Sequence, residues 1–203
     1  MRLPGLVLGF HGCDRAVADR ILNGREEVRV SDNSHDWLGS GAYFWENNPS
    51  RALSWAEFLA SKPSSGRGKI KTPAVIGAII HPGYCLDLTA EASLGLVREA
   101  SGGYIRFCEE AALPVPVNEP GFPGDEDFVK RQLDCAVINF LHRSRAALGL
   151  QEFDTVRAPF LEGGELFAGS RLSAKSHVQW SVRDPKRSII GYFRPRDPKA
   201  TAA

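Results

Sequence analysis

The chain has 203 residues, 43% of them hydrophobic and 24% charged, and 25 Lys+Arg against 24 Asp+Glu leave a net charge of +1. That size and composition suit a globular domain with a sizeable core. The balanced charge excludes the polyanion-coating surface of a dedicated DNA-covering protein, and no apolar run reaches the roughly 18 residues that a membrane-spanning helix needs.

The four cysteines, Cys13, Cys85, Cys108 and Cys135, form no CxxC pair and have no His at metal-ligand spacing. They read as buried, reduced thiols of a cytoplasmic protein, and no metal is expected. The N-terminal "MRLPGLVLGFHG" is apolar but short, and no small-residue cleavage site follows it. It reads as a first strand, over "GLVLGF", rather than as a signal peptide. Asp14 then caps a helix over "RAVADRILNG", with Gly24 just past its end. "EVRV" predicts a short strand, residues 31–49 a loop, and Pro49-Ser50 the start of a helix over "SRALSWAEFLAS".

"KPSSGRGKIKTP" (62–73) is a turn-rich loop with a local basic character, and "AVIGAII" (74–80) is a buried strand that "GYCLDL" (83–88) continues past Pro82. Residues 90–112 have helical character, with an interruption expected at Gly102-Gly103. The Pro- and Gly-rich stretch 114–125 reads as a loop or lid. Asp125 is the expected cap of a long helix over 126–148, whose apolar stripe includes Phe128, Leu133, Val137 and Leu141. Short strands follow over "FDTVRAPF", "ELFAG", "HVQWSVRD" and "SIIGYFRP", and Asp154 with Arg157 is an expected structural pair. The expectation is a single α+β domain over 1–196, with 84–148 as a helical insertion, a mixed or antiparallel split sheet, and a disordered tail over 197–203.

Three segments stand apart from ordinary core patterning. His11-Gly12 ends the first strand, where glycine permits close backbone approach. Gly39-Ser40-Gly41 leads into Ala42-Tyr43-Phe44-Trp45, an unusual density of rings beside two glycines. Gln179 and Ser181 share one face of an amphipathic strand in "SHVQWSVRDP". Each alone is what a strand end, a glycine turn and a strand pair require.

Together, "GFHGCD", "GSGAYFWENNPSRALSWA" and "QWSVRDPKRSIIGYF" resemble the ADP-ribosyltransferase superfamily, in its diphtheria-toxin-like and poly(ADP-ribose) polymerase-like branch. That branch carries a His-Tyr-Glu triad on three separated strands. The resemblance covers roughly 5–60 and 150–195 and implies an ADP-ribosyltransferase-like split sheet flanked by helices. It also implies NAD+ as substrate. Gly12 would grip the nicotinamide amide by its backbone, Tyr43 would stack on the ring, and Trp55, or Ser54 near it, would stand at the place of the second ring. His11 would donate to a ribose hydroxyl. Gly41 belongs to the same glycine motif, and Gln179 falls where the family carries its catalytic Glu.

A glutamine supplies no negative charge, so Glu162 or Glu165 in "FLEGGELF" is a candidate base if either swings into the cleft. Arg157 is a candidate pyrophosphate ligand, and Asn33, Ser34 and Asp36 are candidates for the adenosine side. The activity implied is mono-ADP-ribosyl transfer to a nucleic acid or a protein, as in an intracellular toxin or phage-defence effector with an antitoxin partner and no membrane association. An NAD+ glycohydrolase, or a catalytically weak module that binds NAD+ or ADP-ribose, is the alternative. An RNA 2′-phosphotransferase would need clustered arginines that the strand motifs lack.

Overall fold

The computed structural model of the chain describes residues 5–61 and 70–196; residues 62–69 of the loop expected over 62–73, and the tail expected over 197–203, lie outside the described residues. In chain order the elements are β1 (Val7–Asp14), α1 (Arg15–Leu22), β2 (Ala42–Glu46), α2 (Pro49–Ser61), β3 (Pro73–Ile80), β4 (Cys85–Asp87) and α3 (Glu91–Glu110). They continue with β5 (Asn118–Glu119), β6 (Lys130–Arg131), α4 (Gln132–Ala147), β7 (Thr155–Phe160), β8 (His177–Val182), α5 (Pro185–Ser188) and β9 (Ile189–Phe193). The protein is α+β: a seven-stranded mixed sheet in the order β4-β7-β8-β2-β1-β3-β9, with a separate two-stranded β5-β6 ribbon.

Partners in register across a sheet share a face. One row therefore runs Phe193, Gly77, Phe10, Trp45, Gln179, Ala158 across six strands. Two residues along the strands, on the same face, lie Gly12, Tyr43, Ser181 and Val156. The residues between them, His11, Phe44, Trp180 and Arg157, point to the other face. That second face carries the main core, where Phe44, Ile76, Ile80, Trp180 and Val182 pack against Ala18 and Ile21 of α1.

The first face is covered in two parts. α2 lies over the β1-β3 side, bringing Ala52 and Leu53 against Phe10, Trp45 and Val75. α3 and α4 lie over the β4-β7 side, bringing Ala100, Val137 and Leu141 against Leu86 and Val156. Between these covers, over β2 and β8, Tyr43 and Gln179 stay half-buried.

Several boundaries follow the sequence closely. Asp14 caps α1 by accepting from the Ala16 amide at 2.9 Å, and Gly24 takes φ +68° beyond its end. All four cysteines are free and buried, and burial pushes the thiols of Cys13, Cys85 and Cys135 up to about 11, which leaves them unreactive.

Other expectations are corrected. "GYCLDL" does not continue β3: β4 crosses to the far edge and pairs parallel with β7. Gly102-Gly103 does not interrupt α3; Gly103 lies where a side chain would press on the Phe140 ring of α4, so its bareness serves helix–helix contact. Asp125 does not cap the following helix. It closes the turn before it, accepting from the amides of Gly121, Asp127 and Val129. Phe128 adopts φ +51° in that turn, and α4 begins only at Gln132. Its first amides are capped across the loop by Asn118, whose Oδ1 accepts from Leu133 and Asp134. "EVRV" and "ELFAG" form no strands, and only the isolated bridges Ser31↔Gly41 and Glu165↔Ser173 occur near them. Asp154 pairs with Arg187 at 3.4 Å, not with Arg157.

Candidate functional site

β1 and β2 pair only at Gly9↔Glu46 and Phe10↔Trp45, then part. The Leu8 carbonyl accepts from Asn47 at 3.0 Å, so the even-numbered residues of β1 direct their backbone groups toward β2. Strand alternation then turns the N–H and C=O of Gly12 into the opening, two residues past the last pair. On the other bank, residue 41 is bridged to Ser31 of the preceding loop, which takes the place that β1 has left.

His11 sits in this split. Its Nδ1 is 2.8 Å from the Tyr43 carbonyl oxygen. A carbonyl only accepts, so Nδ1 carries the proton. Burial lowers the pKa of the ring and the Tyr43 bond partly opposes it. In the neutral ring Nε2 is then an acceptor. The donor role that the resemblance implies for His11 does not fit Nε2 in this tautomer.

Tyr43 is held at its far end. Its hydroxyl donates to the Gly39 carbonyl at 2.6 Å and accepts from the Leu38 amide at 2.8 Å. Burial raises its pKa well above that of free tyrosine, and the phenol stays neutral. Ring position is thus set by the glycine turn before it. Gly39 adopts φ +74° and abuts Asn139 of α4, while a Cβ on Gly41 would meet Ser181 of β8. The Gly-x-Gly pair is required by the turn and by these two close approaches. Gly12 has the same kind of reason, since its bare Cα faces the Ala52 carbonyl of α2.

Trp45 shares Tyr43's face, opposite to that of Phe44, and is buried under α2. Trp55 is 37% exposed, stacked on Phe58 at 5.5 Å and 6.2 Å from Trp45. Its ring therefore stacks along its own helix and reaches Trp45. Ser54 donates to the Ser50 carbonyl within the helix.

Gln179 lies opposite Trp45. Its Nε2 is 2.9 Å from Nε2 of His177, two residues earlier on the same strand face. His177 Nδ1 is 2.8 Å from the Lys175 carbonyl and 3.3 Å from Glu162 Oε2. Glu162 is buried and receives Arg51 Nη2 at 2.9 Å. The Arg51 guanidinium stands 5.9 Å from the centre of the Trp45 ring. Glu162, Arg51 and His177 thus form one chain ending on Gln179. Beside it, Trp45 Nε1 and Arg51 Nε are buried without a hydrogen-bond partner among the described residues, a condition that favours an incoming acceptor.

Glu165 is placed elsewhere: it is exposed and accepts from the Gly169 amide at 2.8 Å within its own turn. Arg157 is on the opposite face of the sheet. It bridges Glu46 at 2.7 Å and Asp87 at 3.3 Å, with the Trp180 indole also donating to Glu46. Burial alone would raise the Glu46 carboxyl, but Arg157 and Trp180 hold it below its usual value. Asn33 and Asp36 close their own turn, Asp36 accepting from the Asn33 amide at 2.7 Å. Ser34 lines a separate open hollow with Tyr104, Asn139 and Arg143.

The sequence reading missed His177 and Arg51. The signal for His177 was present, because an i, i+2 spacing on a strand puts it on Gln179's face; Arg51 lies one helical turn before Trp55. Among the described residues no cluster of three or more His, Cys, Asp or Glu stands where it could hold a metal ion, and no helix is long and apolar enough to cross a membrane. Comparison with family models, with curated proteins and with solved structures gave no match.

Proposed function

We propose that the protein binds NAD+ in the split between β1 and β2 and transfers its ADP-ribose to a macromolecular acceptor. The observation that carries this reading is the split itself, where the Gly12 backbone edge stands beside β2 on the face of Tyr43 and the His11 ring, from the other face, bonds the Tyr43 carbonyl across the gap. Each fits one part of the ligand. A backbone N–H and C=O on one edge match the nicotinamide amide. A rigidly held phenol face attracts the cationic pyridinium, worth about 0.5–2 kcal/mol. The amide of Gln179, on the same face as Tyr43, matches a ribose hydroxyl, while His11 acts from the other face by holding the Tyr43 carbonyl.

Departure of nicotinamide leaves positive charge on the ribose, and fixed negative dipoles lower that barrier. The glycosidic bond breaks with its electron pair going to the nicotinamide nitrogen, and the acceptor's nucleophile bonds to the ribose carbon and loses its proton to water. Gln179 offers an oxygen dipole and no charge, and the buried Glu162 is already neutralised by Arg51. That pairing favours slow, single-unit transfer over chain elongation, and it gives weight to a second reading in which water replaces the acceptor or NAD+ is simply held. Arg157 takes no part, being committed to Glu46 and Asp87.

Labelled NAD+ incubated with pure protein, with and without nucleic acid or cell lysate, tests the reading. Label on a macromolecule is the expected result. Free ADP-ribose with nicotinamide alone would indicate the glycohydrolase, and absence of NAD+ binding would overturn the proposal. His11→Ala and Tyr43→Ala are expected to abolish both binding and turnover.

A further inference from the structure

We infer that His177 is a positioning residue that holds the amide nitrogen of Gln179, so that Oε1 is the end of that amide offered to a ligand beside Tyr43 and Trp45. The inference rests on the NAD+ reading above and gives it a specific device: a glutamine with a fixed dipole where a carboxylate would otherwise stand.

The argument is one of hydrogen-bond parity. His177 Nδ1 faces two acceptors, the Lys175 carbonyl at 2.8 Å and Glu162 Oε2 at 3.3 Å. It must therefore carry a proton. The side chain is fully buried, wedged near the rings of Trp45 and Phe160 at 6.4 and 5.7 Å. Burial disfavours a charged ring, which leaves Nε2 as a lone pair. A group 2.9 Å from that lone pair must donate. The Gln179 oxygen there would set two acceptors against each other, so the amide nitrogen faces His177 and Oε1 faces away. Among the described residues no protein group hydrogen-bonds Oε1. The arrangement is anchored from a separate element, because Arg51 of α2 fixes Glu162, and Glu162 fixes His177.

An oriented acceptor is what a ribose hydroxyl, and the positive charge that develops beside it, would meet. A freely rotating amide would offer its donor end half of the time and oppose that charge.

Long-range nitrogen-15 spectra of the wild-type imidazole, together with binding of NAD+ and of nicotinamide alone, test the inference. The expected spectrum shows His177 protonated at Nδ1 and bare at Nε2. His177→Phe is expected to weaken NAD+ binding about tenfold, the scale of one hydrogen bond. It should leave nicotinamide binding unchanged, because nicotinamide has no ribose. His177→Gln, which can accept at the same place, is expected to recover NAD+ affinity to within about threefold. A proton on Nε2, or equal loss of nicotinamide and NAD+, would overturn the inference. If the wild type binds NAD+ and His177→Phe binds it equally well, this inference fails alone. If the wild type binds no NAD+, the proposed function fails and takes the inference with it.

Discussion

Gly12 of β1 lies directly beneath the Ala52 carbonyl of α2, so close that a Cβ on residue 12 would overlap that oxygen. The same glycine turns its N–H and C=O into the β1-β2 split. One missing side chain thus sets the height of α2 above the sheet and leaves the edge of the split bare.

Gly12→Ala is expected to cost about 1–3 kcal/mol through overpacking against backbone that cannot rotate away. For a chain of this size that lowers the melting temperature by roughly 2–12 °C. Gly95→Ala is the control. It sits within α3 with open space around it, and it should stabilise by about 0.5–1 kcal/mol. Thermal denaturation of both variants decides, and equal effects would refute the close-approach account.

Arg157→Met is expected to destabilise the fold while leaving ligand affinity intact. Removing the guanidinium strands Glu46 and Asp87, and breaking a buried pair approaches about 3–5 kcal/mol. The loss should fall below that range, since the Arg157 side chain keeps 20% of its surface exposed. Denaturant unfolding gives the first quantity and NAD+ titration the second. A folded variant with lost affinity would return Arg157 to the binding site.

His142 of α4 is buried beside Phe153, and neither ring nitrogen has a hydrogen-bond partner among the described residues. Burial first, then Arg183 and Arg145, lower its pKa from 6.5 to about 3. The unfolded chain takes up a proton near pH 6.5 that the folded chain refuses, so unfolding gains as the pH falls. Stability should be flat above about pH 7 and drop between about 6.5 and 3, by at most about 1.4 kcal/mol per pH unit. His142→Leu is expected to raise stability at neutral pH and to remove this part of the acid limb. Urea midpoints measured across pH 4–8 check both.

On the proposed NAD+ reading, Gln179→Glu should raise turnover, on the order of 10–100-fold, by adding charge beside a ribose that becomes positive. It should also invert the bond to His177. A carboxylate there demands a donor at Nε2, so the imidazole pKa should climb above its wild-type value against the opposing charges of Arg51 and Arg131. Single-turnover assays and an imidazole titration measure the two effects. Unchanged values of both would mean that Gln179 does not adjoin the reacting centre.

How much of this was legible beforehand depended on the range of the signal. The α1 boundaries, the β3 strand and the buried thiols were readable because capping, an apolar run and cysteine spacing act within a few residues. Asp125 looked like a helix cap by the same local rule, yet Asn118 supplies the cap across an intervening loop. Local chemistry cannot see a partner that arrives from elsewhere in the chain.

The site divides along the same line. The sequence alone carried the α+β class, the glycine-flanked aromatic strand and the three segments worth examining. Only the tertiary structure decided which face each side chain takes. Strand register put Arg157 behind the sheet and Trp45 beside Tyr43, and it joined Arg51, Glu162 and His177 to Gln179 across 128 positions of chain, from 51 to 179. The physical reason is that periodicity records which residues alternate, while register, set by the pairing of distant strands, fixes the side to which that alternation points.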